Sequence, residues 1–309
     1  MRWAGRAAVV LLLTGIVGAG QQTSNLVADV RAAVAKQDFA EGERLVAASR
    51  AASGATPIVM EALSWLGRGA LAAGLLDKAD TYAQQTYDLV QAALKTRRVD
   101  DDPRLATALG ASIEVMAQVG AKRGARSDAV AFLRRELQRW NGTSITKRIQ
   151  KNLNLLSLEG TSAPDVELSE HLGPKPPGLA DLKGKVVLLF FWAHWCGDCK
   201  AQAPVLAALL DRHRQQGLVL LAPTQRYGYV SGGKKAPPDE EKAYIDQVWK
   251  STYSALGEVA VPLAPSNLEE YGVSTTPTLV LVDRTGIVRL YNPGRMTLEA
   301  LESFVRRVL

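Results

Sequence analysis

The chain has 309 residues, about twice the length of a typical domain, of which 47% are hydrophobic and 22% charged. Those proportions exclude a disordered chain, a collagen-like repeat and a disulfide-dense mini-protein, and the lack of any run of about 20 apolar residues excludes a polytopic membrane protein. The formal charge of +6 comes from 37 Lys+Arg against 31 Asp+Glu, with sixteen of each sign from residue 160 onward; the basic residues are scattered, which argues for a solvated surface and against a nucleic-acid partner.

Arg2 and Arg6 precede an apolar run from Ala7 to Val17, followed by Gly18-Ala19-Gly20 and polar Gln21-Gln22. A charged region, an apolar region and small residues in that order read as a signal peptide over residues 1–20, cleaved after Gly20. The run is short for a retained membrane anchor, which must cross about 30 Å of hydrocarbon. The expected location is therefore the periplasm or the exterior, where thiol pairs persist as disulfides.

Residues 21–157 read as an all-α unit. They are rich in helix formers, with apolar residues at helical spacing such as Leu26, Val30, Ala33 and Val34. Breaks fall at Gly54-Ala55-Thr56-Pro57, Asp100-Asp101-Asp102-Pro103 and Asn141-Gly142-Thr143. Asp101 or Asp102 is placed to cap the helix that Pro103 opens. Leu66-Gly67, Gly74 and Ala79 sit where a tetratricopeptide hairpin puts its small packing residues, so this half weakly resembles such hairpins. Leu109-Gly110 is the candidate start of another unit, off the 34-residue period of that repeat. A plain helical-hairpin bundle is the alternative, and either provides a groove for a protein partner.

The pattern changes between Glu159 and Pro177, where glycines and prolines end the helical periodicity. Residues 158–309 read as an α/β unit with a central sheet flanked by helices. Val186 to Phe191 is a continuous apolar run, expected to be a strand buried on both faces. A helix follows over Ala201 to Gln216, a strand over Leu218 to Ala222 and a helix over Asp239 to Leu256. Strands Thr278 to Val282 and Ile287 to Tyr291 flank the hairpin signal Asp283-Arg284-Thr285-Gly286, and an amphipathic helix closes the chain from Leu298 to Leu309.

The two cysteines are Cys196 and Cys199, within Trp195-Cys196-Gly197-Asp198-Cys199-Lys200. C-x-x-C directly after a buried strand and at a helix start reads as a redox pair. Unpaired backbone N–H groups and the positive end of the helix dipole stabilise a thiolate at Cys196. Cys199, one turn on, lies on the same face and can attack a mixed disulfide formed at Cys196. A structural disulfide is the weaker reading, since so short a loop constrains the unfolded chain little. A zinc site needs about four ligands where one C-x-x-C supplies two. Thiolates also suit Cu(I), and His194 stands nearby, so copper handling is a third alternative.

Ala163-Pro164-Asp165, Asp181 to Val187, Phe191-Trp192-Ala193-His194-Trp195-Cys196, Pro204 and Tyr271 to Thr278 together resemble the thioredoxin fold, specifically its exported TlpA/ResA-like branch. The resemblance covers about residues 160–309 and leaves the helical half out. It implies that Cys196 attacks and Cys199 resolves. It implies that Pro277 is a cis proline whose neighbour Thr276 pairs with the substrate backbone, that Trp195 shields Cys196 and that Trp192 packs beneath. Three positions depart from the pattern: Asp198 stands where proline is frequent, and Phe190 and Gln202 stand where relatives carry acids that manage the resolving thiol's proton. Asp198 and His194 are the candidate substitutes as proton relay. Ala193 lacks the hydroxyl that the peroxiredoxin pattern places there. The segment Arg226–Pro238, with two tyrosines and several glycines, is either a surface insertion or a substrate contact.

The resulting expectation is an exported thiol–disulfide oxidoreductase acting as a reductant on disulfide-containing or dithiol proteins, exported apo-cytochromes among them. It needs a separate redox partner, a protein partner being a further candidate for the helical half. It requires no bound cofactor or metal, because the Cys196–Cys199 disulfide is the redox centre. The alternatives are a partner-binding helical module on a thioredoxin scaffold, and a Cu(I)-handling protein.

Overall fold

A computed structural model describes residues 19–309; the charged and apolar parts of the expected signal peptide lie outside the described residues. No helix among the described residues is long and apolar enough to cross a membrane.

Among the described residues, seven α-helices fill the first half: α1 (Ala19–Ala35), α2 (Phe39–Ser53), α3 (Pro57–Ala72), α4 (Leu76–Ala93), α5 (Pro103–Lys122), α6 (Arg126–Arg139) and α7 (Thr146–Ser157). Their starts follow local chemistry. Asp38 accepts from the Glu41 N–H at 3.0 Å, and Asp102 accepts from the Arg104 N–H at 2.8 Å with Pro103 opening α5. Asp101, the other candidate cap, instead accepts from the Arg98 N–H at 2.7 Å and closes the preceding turn.

Small residues set the approach of α3 to α4. A Cβ at Gly67 would meet the Ala83 nitrogen and Tyr82 Cβ at 3.6 Å, so the helices touch through backbone. Gly110 on α5 behaves differently: its open face meets Arg148 and Ile145 at α7, not the adjacent α6.

The second half contains β1 (His171–Leu172), β2 (Val186–Phe191), α8 (Gly197–His213), β3 (Leu218–Leu221), α9 (Pro238–Thr252), β4 (Val261–Pro262), α10 (Pro265–Glu270), β5 (Thr278–Val282), β6 (Val288–Pro293) and α11 (Leu298–Arg306). The main sheet has the order β3-β2-β5-β6, with β2 parallel to β3 and antiparallel to β5, and β5 antiparallel to β6. The short β1–β4 pair and α10 carry too few residues to show a periodicity in the sequence. Helix α8 starts at Gly197, earlier than the expected Ala201, because Cys196 itself caps it.

All of β2 is buried. Side-chain alternation sends Val186, Leu188 and Phe190 into the layer under α8, α9 and α11, and Val187, Leu189 and Phe191 into the opposite layer with Tyr271, Val280 and Tyr291. The segment after α7 is no free linker. The Gly160 and Ala163 N–H groups donate to Val288 and Gly286 carbonyls at 2.9 Å, extending the sheet beyond β6.

Helix α7 docks on this α/β half. Lys147 Nζ donates to Gln225 Oε1 at 3.3 Å, and the Glu159 carboxylate accepts from the Tyr291 N–H at 3.0 Å. Gly272, at φ +60°, lies so close to α7 that a Cβ would fall 2.4 Å from the Lys151 nitrogen. Both the left-handed conformation and the backbone contact exclude a side chain there. Gly272→Ala is expected to cost at least about 2 kcal/mol, read as a lower urea midpoint; an unchanged midpoint would mean that α7 does not press on this turn in solution.

Candidate active site

Strand β2 runs directly into the site. Trp192 and His194, at 0% and 2% exposure, continue its dry layer, and Trp195 at 51% is the first side chain in water. Trp192 is fixed by its Nε1–H donating to the Ala222 carbonyl at 3.0 Å and by Trp249 and Tyr253 rings about 5 Å away. It packs beneath the site as the sequence suggests.

Cys196 and Cys199 are joined as a disulfide, with Cα atoms 5.3 Å apart. Cys196 is the N-cap of α8, and its Sγ accepts from the Cys199 N–H at 3.0 Å. Cys199 is wholly buried and Cys196 nearly so, at 3% exposure. The sulfur that faces the helix start is therefore the one nearer solvent, and a thiolate there has an N–H donor and the dipole end to stabilise it. Pro204 lies inside α8.

The Thr276–Pro277 peptide bond is cis. A chain of hydrogen bonds ties this segment to the second turn of α8. The Gly294 N–H donates to the Pro277 carbonyl at 2.7 Å; two residues on, the Met296 N–H donates to Gln202 Oε1 at 2.9 Å and the Met296 carbonyl accepts from Gln202 Nε2 at 3.2 Å. Gln202 is thus a buried bracket, with both ends of its amide occupied. Thr276 is half-buried.

The two candidate relays sit in opposite environments. Asp198 is exposed, with Arg295 Nη1 at 3.4 Å from its carboxylate and both side chains more than half in water, a geometry worth little. His194 is buried, its Nε2 lies 3.3 Å from Glu241 Oε1, and Tyr227, Tyr229 and Tyr244 rings stand edge-on to it at 5.3–5.5 Å. Burial pushes the His194 pKa down, and the Glu241 carboxylate opposes the shift.

Glu241 is the residue that the sequence reading missed. It lies in the first turn of α9, where an acid is ordinarily a surface partner of the helix dipole. Here it is 1% exposed and accepts from the backbone N–H groups of Tyr227 and Gly228, the latter at 2.8 Å. The only signal was its company: an acid near aromatic residues in a segment longer than the fold requires.

That segment, Arg226–Pro238, is folded onto the site. Arg226 Nε donates to the Pro238 carbonyl at 3.1 Å, joining its ends, and the Arg226 guanidinium pairs with Glu170, holding that carboxyl down at about 2. Val230 N–H to Lys234 carbonyl at 2.8 Å and Ala236 N–H to Gly228 carbonyl at 3.2 Å close it as a small hairpin.

A model of the AhpC/TSA family matches residues 160–224. The thiol–disulfide oxidoreductase ResA of Geobacillus thermodenitrificans (strain NG80-2) is 28% identical over 149 residues, 48% of this chain and 77% of the relative. ResA of Oceanobacillus iheyensis is 27% identical over 161 residues, 51% of this chain and 77% of that protein. Among solved structures, the pneumococcal exposed lipoprotein thioredoxin Etrx1 from Streptococcus pneumoniae strain TIGR4 is 28% identical with a TM-score of 0.37, covering 47% of this chain and 99% of that one. The chain is a thiol–disulfide oxidoreductase with a thioredoxin-like fold in its C-terminal half. Similarity to ResA-type enzymes accounts for the second half of this oxidoreductase only.

The buried imidazole gives a pH signature. An unfolded chain protonates His194 near pH 6.5, whereas the folded one resists protonation because its pKa is lowered. The unfolded state therefore takes up the proton first, and stability falls as pH drops through and below about 6.5. Urea midpoints measured from pH 7.5 to 5.5 should decline, and His194→Gln should shallow that slope; an identical slope in the variant would place the titration elsewhere.

Proposed function

We propose that this oxidoreductase is an exported reductant of disulfides in protein substrates. In this reading Cys196 thiolate attacks a substrate disulfide, forming a Cys196–substrate bond and releasing one substrate thiol. Cys199 then attacks Cys196, so the second substrate thiol leaves and the Cys196–Cys199 disulfide forms. Two electrons pass to the substrate, and a separate redox partner must return them. The observation that carries the reading is the position of Cys196: helix cap, N–H acceptor, and the more accessible sulfur, next to an exposed Trp195.

The remaining site residues take roles that the geometry favours. Trp195 and the Thr276–Pro277 edge receive the substrate chain, which can lie alongside Thr276 as a short added strand. Removing the Cys199 proton needs a base, and no acid occupies 190 or 202, where Phe and Gln stand. His194, neutral and backed by Glu241, is the better relay than Asp198, which is solvated and paired with Arg295. The export signal at 1–20 supports a location outside the cytosol, and the helical half, residues 21–157, offers a separate surface to a protein partner.

A redox titration of the purified mature protein in dithiothreitol buffers, followed by Trp fluorescence and thiol trapping, tests the direction of electron flow. A reductant requires a midpoint near or below about −250 mV, whereas one above about −180 mV would make the protein an oxidant or isomerase. Absence of a two-electron transition would overturn the redox role altogether. Separately, Cys199→Ser is expected to accumulate the Cys196–substrate mixed disulfide. Asp198→Asn should leave the pH profile of exchange in place, and His194→Gln should displace it; the reverse pattern would transfer the relay to Asp198.

A further inference from the structure

We infer that the hairpin Arg226–Pro238, held by the buried Glu241 carboxylate, forms an aromatic wall beside Cys196 that selects substrates carrying an apolar or aromatic side chain next to the reacting cysteine. The inference rests on the oxidoreductase reading with Cys196 as the attacking thiol.

The wall begins with Trp195, the most exposed of the three large apolar side chains that stand in water among the described residues. An indole half in solvent immediately before a nucleophilic cysteine is apolar area available to whatever chain approaches the sulfur. Tyr227 meets it edge-on at a ring separation of 5.5 Å, and Tyr229 follows at 6.4 Å from Tyr227. Both tyrosines also border the His194 ring. The hairpin therefore does not merely pass near the site; its rings continue the surface that Trp195 starts.

Glu241 holds the arrangement. A carboxylate at 1% exposure must have its lone pairs filled. It takes the N–H groups of Tyr227 and Gly228, which fixes the backbone at the start of the wall, and it faces His194. Glu241 thus acts through the hairpin as a positioning residue. The base of the hairpin is held independently by the Arg226 contacts to Glu170 and the Pro238 carbonyl, so loss of the Glu241 contacts should loosen the ring-bearing part while the ends stay in place.

The test uses symmetrical disulfides of a short peptide whose single cysteine follows Phe, Leu, Ser or Asp. The full-length protein, fully reduced beforehand, converts each to two peptide thiols while its own pair oxidises. In single turnover the second-order rate for the Phe and Leu peptides should exceed that for Ser and Asp about tenfold, the lower end of the range over which apolar pockets discriminate. Tyr229→Ala should bring the ratio to within about twofold of unity. Glu241→Gln should lower the ratio likewise, whatever it does through His194 to the rate common to all four peptides. Tyr229 is half-buried on the hairpin, so its variant reports even if Glu241→Gln fails to fold. Exchange that proceeds with no preference in the wild type, or with the same preference in both variants, overturns the wall. No exchange with any peptide or with oxidised dithiothreitol overturns the oxidoreductase reading and this inference with it.

Discussion

Burial of β2 on both faces is the constraint from which the rest of the α/β half follows. A strand dry on two sides needs two covers. One is the layer of α8, α9 and α11; the other is built from Tyr271, Tyr291 and the chain leaving α7. The same dryness locates the chemistry. Along β2 and its continuation, exposure stays near zero through His194 and rises to 51% at Trp195. Cys196, 3% exposed, stands at that boundary, next to the first side chain in water. The α8 start supplies N–H groups there because a helix beginning at Gly197 has no preceding turn to occupy them.

Polar groups around the pair are few, and each is committed. Gln202 gives its donor and its acceptor to one residue, Met296. A carboxylate there would have an acceptor facing the Met296 carbonyl, so the amide locks the loop at the cost of a local acid. The buried acid near the site comes instead from Glu241 on α9, which already accepts two backbone N–H groups. That carboxylate faces an imidazole whose pKa burial lowers. Glu241 is thus a structural anchor of the hairpin that also opposes the effect of burial on His194.

Much of this was legible in the residues. Continuous apolar runs located β2, β3 and β5, the Asp-Arg-Thr-Gly turn located the β5–β6 hairpin, and C-x-x-C after a strand located the site. Pro57 and the Asp-Pro step at 102–103 located the starts of α3 and α5. What was not legible depends on contacts between distant segments. The β1–β4 pair, with two residues in each strand, has no period to detect. Glu241 looked like any acid in a first helical turn, since its burial is set by a hairpin that precedes α9. The Arg226–Pro238 segment carried glycine, lysine and proline, the composition of an open surface loop. Its order comes from Arg226, Glu170 and Glu241, a set that no local window contains.

The place of the helical half in this arrangement follows from α7. Three cations, Arg68, Arg148 and Lys151, surround the single carboxylate of Glu114 within the helical bundle. Burial lowers the pKa of Arg148 and of Lys151, while the surrounding cations hold Glu114 in its charged form. Breaking so enclosed a cluster is costly, because it leaves uncompensated charge. The cluster therefore fixes the rotation of α7, with the Lys151 backbone against Gly272 and Lys147 toward Gln225. Gln225 directly precedes Arg226, the base of the aromatic hairpin. The helical half thus meets the α/β half through a fixed helix face, whose Lys147–Gln225 hydrogen bond falls one residue from the hairpin.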